Sequence, residues 1–326
     1  MITGPLLKTT MFSTYNIINN FYIFYYISYI NKSEIMSLKL NPLYKWTGGK
    51  RKEIKVFDEY YPDFVKNGTD YTFIEPFFGG GAVYWSLGAD RNIINDIDSE
   101  LVNFLKVVKS DYKSVVSELN KLSVKIAEIT KLEKDKTLSI ADAKTERGVY
   151  FYEWRNKDRK NGLSLLSQFD RALRFYIVNQ LAFNGMRRFN SRGEFNVPYG
   201  NYKSFNPSIT EEHSNLLDRT EILNGSYKDV MLNNDNDNTF IYLDPPYTRE
   251  FKEYSHDNVF GPDQQIELCE VFKSIKNAKV MIIINKDDFT TELYKDYIKH
   301  TYDLKYSTNI KNRYDNSVQH LVICNY

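Results

Sequence analysis

Asp244-Pro245-Pro246-Tyr247 combines a carboxylate, two prolines and an aromatic ring in four consecutive residues. The tetrapeptide follows the apolar run Thr239–Leu243, which predicts a buried strand. Because ligands of open parallel α/β sheets bind at the carboxyl ends of the strands, these residues stand where a site is expected. Proline has no N–H to give to a sheet, so the pair ends the strand and stiffens the turn.

Such a turn has the chemistry to hold a planar amine. The Asp244 carboxylate and a proline carbonyl can accept both hydrogens of an exocyclic NH₂ group, while the ring of Tyr247 stacks on the base that bears it. The alternative is an ordinary strand-ending turn with a surface aspartate, since Pro-Pro turns are common. The rest of the chain decides between the two.

A glycine-rich turn follows a second short apolar run, Thr72–Glu75. The segment from Pro76 to Gly81 ends in three glycines, which let the backbone approach a ligand closely. Asp96 ends the next predicted strand about 20 residues on, where an acid suits a ribose diol. The dinucleotide pattern G-x-G-x-x-G needs glycine where Tyr84 stands. The pattern favours a nucleoside-like cofactor without a pyrophosphate, such as S-adenosylmethionine, over a ligand-free glycine turn.

Two stretches are basic although the chain has a formal net charge of only +1. The first, from Lys45 to Lys55, includes Lys50 behind a Trp-Thr-Gly-Gly turn, where the lysine could meet a cofactor carboxylate. The second, 184–203, mixes glycine, asparagine, arginine and aromatic residues and predicts a loop or β-hairpin. Its arginines, Arg187, Arg188 and Arg192, are forked donors for guanine edges or phosphates. Solvated surface lysines and a structural hairpin are the alternatives.

The remaining pattern predicts the scaffold. Strand, turn, helix, strand and helix follow one another from Thr72 to Val108, and residues 111–183 are mostly helical, with a packed helix over 163–183. Alternation then resumes, which predicts an α/β fold with a doubly wound sheet interrupted by a helical insertion. The later elements are a helix over 262–275, a strand over 279–285, a helix over 290–297, and strands over 303–310 and 318–325.

The order of these motifs resembles the Dam-type family of DNA N6-adenine methyltransferases (D12 class, alpha group). The resemblance covers about residues 40–326 and includes, in order, KWTGGK, FIEPFFGGGAVYWSL, NDIDSEL, NGMRRFNSRGEFNVPYGNYK and YLDPPY. It implies a Rossmann-like S-adenosylmethionine-dependent methyltransferase sheet with an inserted helical and β-hairpin DNA-recognition domain. The implied division is an atypical extension over 1–36, a catalytic domain over 37–110 and 220–326, and a target-recognition insertion over 111–219.

The resemblance also implies roles for individual residues. Asp244, Pro245, Pro246 and Tyr247 would hold and stack on the target adenine. The S-adenosylmethionine contacts would be Trp46, Lys50, Glu75, Phe77, Gly79, Gly81, Asp96 and Asp244. The contacts to double-stranded DNA would be Asn184, Arg187, Arg188, Asn190, Pro198, Tyr202 and Lys203. Arg187 departs from the family pattern, in which we expect a less polar residue at that position.

The implied reaction is methyl transfer to N6 of an adenine flipped out of a short, GATC- or CATG-like duplex site. A cognate restriction endonuclease is a conceivable companion, and a monomer or weak dimer is expected. Cytosine C5 methylation is excluded because neither Cys269 nor Cys324 follows a proline. N4-cytosine methylation, glutamine methylation and a catalytically silent DNA-binding protein remain alternatives.

Cysteine usage and the N-terminal segment bear on the compartment. The two cysteines form no CxxC pair and no metal-like spacing with the four histidines, so we expect a reduced, cytoplasmic protein without a metal. The aromatic run from Phe21 to Ile30 is shorter than the roughly 20 residues of a membrane span. No basic segment or cleavage site accompanies it. We therefore expect no membrane anchor, and residues 1–36 to be dispensable or an extra helix.

Overall fold

A seven-stranded mixed sheet is the centre of the fold. The computed structural model describes residues 40–159, 162–246, 260–305 and 317–326. The strands are β1 (Thr72–Glu75), β2 (Arg91–Asn95), β3 (Thr220–Leu223), β4 (Thr239–Leu243), β5 (Lys279–Asn285), β6 (Ile298–Lys305) and β7 (Ser317–Cys324). Their order across the sheet is β3-β2-β1-β4-β5-β7-β6.

Helices cover both faces of this sheet. They are α1 (Ile54–Phe57), α2 (Asp63–Lys66), α3 (Ala82–Leu87), α4 (Ser99–Lys134), α5 (Ile140–Arg155), α6 (Gln168–Leu181), α7 (Glu211–Asp218), α8 (Tyr227–Asn233), α9 (Pro262–Ser274) and α10 (Asp288–Tyr294). Successive strand residues alternate between two apolar layers: Phe240 and Tyr242 face one, Ile241 and Leu243 the other. Burial on both faces explains why β4 is apolar after its first residue, Thr239.

Strand order places the ligand-binding edge. β1 to β5 run parallel, whereas β7 is antiparallel to both β5 and β6. From β1 the chain proceeds outwards to β2 and β3, and from β4 it proceeds the other way to β5, so the order reverses between β1 and β4. Crevices at the carboxyl ends of strands at such a reversal are the usual ligand sites of open α/β sheets. The glycine turn and Asp244 both lie there.

The chain between β2 and β3 forms a helical layer. Helix α4 begins at its N-cap Asp98, whose carboxylate accepts the N–H groups of Glu100 and Leu101. It is 36 residues long and is interrupted at Asp111, which has non-helical dihedral angles (φ −155°, ψ 57°). Helix α6 packs on α4 through Phe104, which stacks on Phe175. The break lies at the predicted 110/111 boundary, but the division into domains stays a prediction.

The Rossmann-like α/β sheet predicted from the sequence is confirmed, and several predicted element boundaries are wrong. The structure adds β3 and α8, which the pattern did not indicate. Helix α6 begins at Gln168, because Ser167 caps it and 163–165 form a 3₁₀ turn instead. Strand β6 begins at Ile298 rather than at residue 303. Residues 306–310, the 1–36 extension and Tyr247 lie outside the described residues.

Candidate active site

One cleft at the carboxyl edge of the sheet brings the two main sequence motifs together. Asp244, which directly follows β4, and the glycine turn after β1 line it in common. Trp46 and Lys50, from the segment before α1, complete the wall. The lining residues are Trp46, Gly49, Lys50, Glu75, Phe77, Phe78, Gly79, Gly80, Gly81, Ala82, Tyr242 and Asp244. We call this the cofactor cleft.

Asp244 forms a salt bridge with Lys50. The Lys50 Nζ lies 2.8 Å from Asp244 Oδ1 and 3.0 Å from Oδ2, and it also donates to the Gly48 carbonyl at 2.9 Å. The lysine side chain is only 2% exposed and that of Asp244 is 23% exposed. Burial raises the pKa of Asp244, while the Lys50 charge and hydrogen bond oppose this rise. Pro245 is buried and Pro246 half-buried, so the turn is fixed by packing.

A buried polar cluster lies behind Lys50. Glu53 Oε2 accepts hydrogen bonds from Tyr302 Oη at 2.7 Å and lies 2.6 Å from His320 Nδ1. Burial raises the pKa of Glu53, but His320, Lys50 and Tyr302 outweigh it, and the net pKa is lowered. The cluster ties the 50–53 turn to β6 and β7. No local pattern predicts this cluster, because a lone histidine in a strand is ordinary.

The glycine turn is shaped by the indole of Trp46. A Cβ on Gly79, which has φ +47°, would lie 2.6 Å from Trp46 Nε1, and one on Gly80 would lie 3.0 Å from Trp46 Cβ. On the next residue, Gly81, a Cβ would collide with the Phe78 ring. The Tyr44 hydroxyl donates to the Gly79 carbonyl at 2.6 Å. Only glycine allows this close contact between the turn and the indole.

Two further carboxyl groups flank the turn. Glu75 is 3% exposed and accepts the Tyr84 N–H at 3.1 Å. Burial raises its pKa well above the usual range. Asp96 accepts the N–H groups of Gly79 at 2.8 Å and of Asp98 at 2.9 Å. Burial, helped by the Asp98 charge, raises the pKa of Asp96 to about 6.

These features fit S-adenosylmethionine. Glu75, Asp96 and Asp244 are poorly hydrated carboxyl groups, of which Asp244 pairs with a lysine, and such an environment favours a ligand with a positive charge. The turn presents backbone rather than side chains, and Asp96 stands beyond the second strand as a ribose-binding acid does. Phe77 stacks on Tyr227 with ring centroids 4.8 Å apart, which forms a flat aromatic wall.

The predicted DNA-contacting residues lie on a basic hairpin, residues 184–203. Two isolated antiparallel bridges, Ala182 with Tyr199 and Phe189 with Phe195, confirm the predicted hairpin character. Arg188 is exposed and its Nε donates to the Asn196 side chain at 2.9 Å. The Asn190 side chain bonds within the hairpin: its Oδ1 accepts the backbone N–H groups of Arg192 and Glu194, both at 3.0 Å.

The other predicted DNA contacts lie elsewhere on the basic hairpin. Asn184 is exposed and has φ +54°, and Pro198 is exposed. The Lys45 ammonium lies 4.0 Å from the centroid of the Tyr202 ring. Lys203 forms a salt bridge with Glu133, and its side chain is 56% exposed. Roles in DNA binding for these residues stay predictions.

Two side chains of the basic stretches, Lys50 and Arg187, are buried or nearly so. Lys50 is buried against Asp244. Arg187 pairs with Asp98, its side chain is 12% exposed, and its guanidinium lies 5.0 Å from the Trp46 ring centroid. Each of these cations therefore has a carboxylate partner inside the fold, and the alternative of solvated surface side chains does not hold for either of them.

Comparison with known proteins assigns the chain to a family. It belongs to the D12 class N6 adenine-specific DNA methyltransferases, whose family model matches residues 46–310. It is 32% identical over 295 residues to Type II methyltransferase M.CviBI of Paramecium bursaria Chlorella virus NC1A, covering 88% of this chain and 100% of the relative. Membership of this methyltransferase family implies S-adenosylmethionine as the methyl donor, as expected from the sequence.

Cellular relatives are similar over most of the chain as well. Type II methyltransferase M.MjaIII of Methanocaldococcus jannaschii is 32% identical over 307 residues, which cover 89% of this chain and 100% of that protein. DNA adenine methylase of Escherichia coli (strain K12) is 29% identical over 264 residues, covering 77% of this chain and 83% of the relative. Within the described ranges, no helix is long and apolar enough to cross a bilayer. The same ranges contain no cluster of three or more candidate metal ligands.

Proposed function

We propose that the chain is a site-specific DNA methyltransferase that transfers a methyl group to N6 of an adenine flipped out of duplex DNA. The observation that supports this best is the cofactor cleft itself, in which Asp244 and the glycine turn share one wall. The turns that are proposed to bind the amine and the nucleoside therefore lie side by side. Direct transfer requires that proximity, because the two reacting atoms must approach within about 3–3.5 Å.

Asp244 and Pro245 would act on the adenine amine. The nitrogen of that amine is a poor nucleophile because its lone pair is delocalised into the ring. Hydrogen bonds from the NH₂ group to the Asp244 carboxylate and the Pro245 carbonyl favour a pyramidal nitrogen with a directed lone pair. Lys50 holds the carboxylate in place before the substrate arrives, so the acceptor is preorganised. Tyr247, which follows in sequence, is proposed to stack on the base.

The remaining cleft residues would bind the methyl donor, which supplies an electrophilic methyl group on a positively charged sulfur. Asp96 is proposed to accept from the ribose hydroxyls, and Phe77 to pack against the adenine of the cofactor. Glu75, Gly79 and Gly81 shape the turn beneath it. Trp46 covers the same turn from the opposite side.

The basic hairpin would bind duplex DNA. Exposed Arg188 is proposed to read a base edge in the major groove, with Asn184, Pro198, Tyr202 and Lys203 placed to contact the backbone. Flipping the adenine costs a few kcal/mol, which hydrogen bonds and stacking in the Asp244 turn must offset. Short palindromes of the GATC and CATG type are the first sites to test.

Biological context is proposed from the relatives. Two relatives described above are named Type II methyltransferases, and we infer that this chain protects DNA against a cognate restriction endonuclease. A monomer or weak dimer acting inside the cell fits this role. The alternative of N4-cytosine methylation is disfavoured by the adenine-specific family model.

Sequencing of modified bases in DNA from cells that express the chain tests the proposal directly. We expect N6-methyladenine in one short motif, and none when Asp244→Ala is expressed at the same level. Methylation at cytosine N4, or unmethylated DNA from cells with soluble wild-type protein, would overturn the assignment. The same data report the recognised motif.

A further inference from the structure

Arg187 links the basic hairpin to the cofactor cleft. It directly precedes Arg188 in the basic hairpin, yet its guanidinium points inward and pairs with Asp98. The same group lies 5.0 Å from the ring centroid of Trp46 and 5.1 Å from that of Phe175. Both are within the distance at which a cation is attracted to an aromatic face. A side chain fixed in this way is poorly placed to reach DNA.

Two of the three partners of Arg187, Trp46 and Asp98, belong to the cofactor side. Trp46 covers the glycine turn, with its Nε1 only 2.6 Å from the point where a Cβ of Gly79 would lie. Asp98 donates its own N–H to Asp96, the proposed ribose-binding acid, at 2.9 Å. Asp96 in turn accepts the Gly79 N–H at 2.8 Å. Arg187 therefore touches the indole above the turn and the loop that holds the acid beneath it.

A second contact fixes the same segment. Lys45 exchanges two backbone hydrogen bonds with the Asn179 side chain, at 3.0 and 2.8 Å, and its ammonium donates to the Gln180 carbonyl at 2.7 Å. The residue beside Trp46 is thus already tied to the end of α6. Arg187 adds the link that orients the indole itself.

We propose that Arg187, Asp98 and Trp46 form a clasp that shapes the cofactor cleft, so that Arg187 is a positioning residue for S-adenosylmethionine binding rather than a DNA contact. The inference rests on the proposed function. It assigns one arginine of the hairpin to the cofactor and leaves Arg188 for DNA. The two neighbouring arginines then have different functions, Arg187 in cofactor binding and Arg188 in DNA binding, although their sequence context is the same.

Calorimetric titration of the full chain with S-adenosylhomocysteine, without DNA, tests the clasp. Arg187→Met keeps an unbranched apolar stem and removes the guanidinium with its charge. We expect about tenfold weaker binding, as for the loss of a charge-assisted hydrogen bond and a cation–π contact. Arg187→Lys should recover part of the affinity. Arg188→Met is the matched control and should bind the probe as the wild type does.

Asp98→Asn keeps the inference testable if Arg187→Met folds poorly. Asparagine still caps α4, whereas the ion pair with Arg187 is lost, together with the Asp98 charge that raises the pKa of Asp96. We expect a similar fall in affinity, and no further fall in the double variant, because both changes break one interaction. The pH at which affinity for the probe begins to fall should also be higher in Arg187→Met than in the wild type, since the Arg187 charge lowers the pKa of Asp96.

The outcomes separate the two proposals. If Arg187→Met binds the probe like the wild type but loses affinity for DNA, Arg187 is a DNA contact and the clasp is wrong. Equal weakening in Arg188→Met would also overturn it, because a general disturbance of the hairpin would then explain the result. A wild-type chain that binds no probe contradicts the proposed function instead.

Discussion

Lys50 and Asp244 form a salt bridge across 194 positions of sequence, with Nζ and Oδ1 2.8 Å apart. The pair joins the segment that carries Trp46 to the turn that follows β4. Because Lys50 is almost fully buried, its ammonium depends on partners inside the fold. The salt bridge therefore orients the proposed amine acceptor and also contributes to stability.

Replacing Asp244 separates these two effects. Asp244→Asn should lower the rate of methyl transfer by about 10³-fold, in line with the loss of a preorganised polar group from an active site. It should also lower the free energy of unfolding by about 2 kcal/mol, because a buried lysine loses its carboxylate. Single-turnover transfer of labelled methyl groups and urea unfolding measure the two effects.

The double variant Lys50→Met, Asp244→Asn supplies the control. With both charges removed, the unfolding free energy should return towards the wild-type value while methyl transfer stays low. Recovery of activity in the double variant, or near-normal activity in Asp244→Asn, would show that Asp244 does not hold the amine.

A pair of glycines tests the shape of the turn. Gly79 and Gly88 both have positive φ, +47° and +58°, so alanine should strain the backbone by about 1 kcal/mol at either site. Only at Gly79 would the new methyl group meet Trp46, whereas nothing lies within 4 Å at Gly88. Gly79→Ala should therefore weaken binding of S-adenosylhomocysteine at least tenfold, and Gly88→Ala should not.

Calorimetry on both variants, with thermal unfolding as the check on folding, gives the comparison. Equal loss of binding in Gly88→Ala would attribute the effect to strain rather than to the indole. Unchanged binding in Gly79→Ala would mean that the turn and Trp46 do not enclose the cofactor.

The pH dependence of cofactor binding should report Asp96. Burial and the Asp98 charge raise its pKa to about 6, and Arg187 opposes them. Tyr44 and Glu75 are the other titratable groups that interact with it. Since an acid with a raised pKa is charged only above that value, affinity should be full above pH 7. It should fall about tenfold as the pH drops to 5, because a neutral carboxyl is a weaker acceptor for ribose hydroxyls.

Titration with S-adenosylhomocysteine between pH 5 and 8 measures this dependence. Asp96→Asn should bind weakly at every pH and show a nearly flat profile. Asp63→Asn, at a side chain that is 89% exposed, is the matched control and should keep the wild-type profile. A wild-type affinity that does not change between pH 7 and 5 would remove Asp96 from the ribose site.

The sequence predicted the elements whose signal is local. Strand β4 is apolar at every position but its first and is followed by Asp244 and two prolines, so its type, position and neighbouring acid were all predictable. Strand β3 was not predicted, because its four residues include an exposed glutamate and form no continuous apolar run. Packing within the sheet determines its structure. The start of β6 was misplaced because its residues, IKHTYDLK, show no clean alternation, and pairing with β7 defines it.

The candidate site divides in the same way. The glycine turn and Asp244 were predictable because each follows a strand with a clear apolar run, and parallel strands bring their carboxyl ends to one edge of the sheet. The partners of Lys50, Arg187 and Glu53 were not predictable, since each partner is distant in sequence. Residue type alone places a lysine or arginine at the surface, and only the folded chain shows which of them meets a buried carboxylate.

Arg188 should determine part of the DNA sequence specificity. Its side chain is exposed on the basic hairpin and its Nε is held by Asn196, which leaves the guanidinium NH₂ groups directed by a fixed stem. A forked donor of this kind typically contributes about 1–3 kcal/mol of discrimination between bases. Arg188→Ala should therefore reduce the ratio of kcat/KM between the cognate site and single-base variants by at least tenfold at one position.

A contact to phosphate predicts a different result. Activity would fall equally on all sites, and the slope of log affinity for DNA against log salt concentration would decrease by about 1. Methylation rates on a panel of duplexes, each changed at one base pair, distinguish the two. Arg192→Ala is the matched control, because its guanidinium pairs with Glu194 at 2.9 Å and its side chain is 76% exposed. It should leave the ratio near the wild-type value, and an equal change in both variants would assign the effect to the fold of the hairpin.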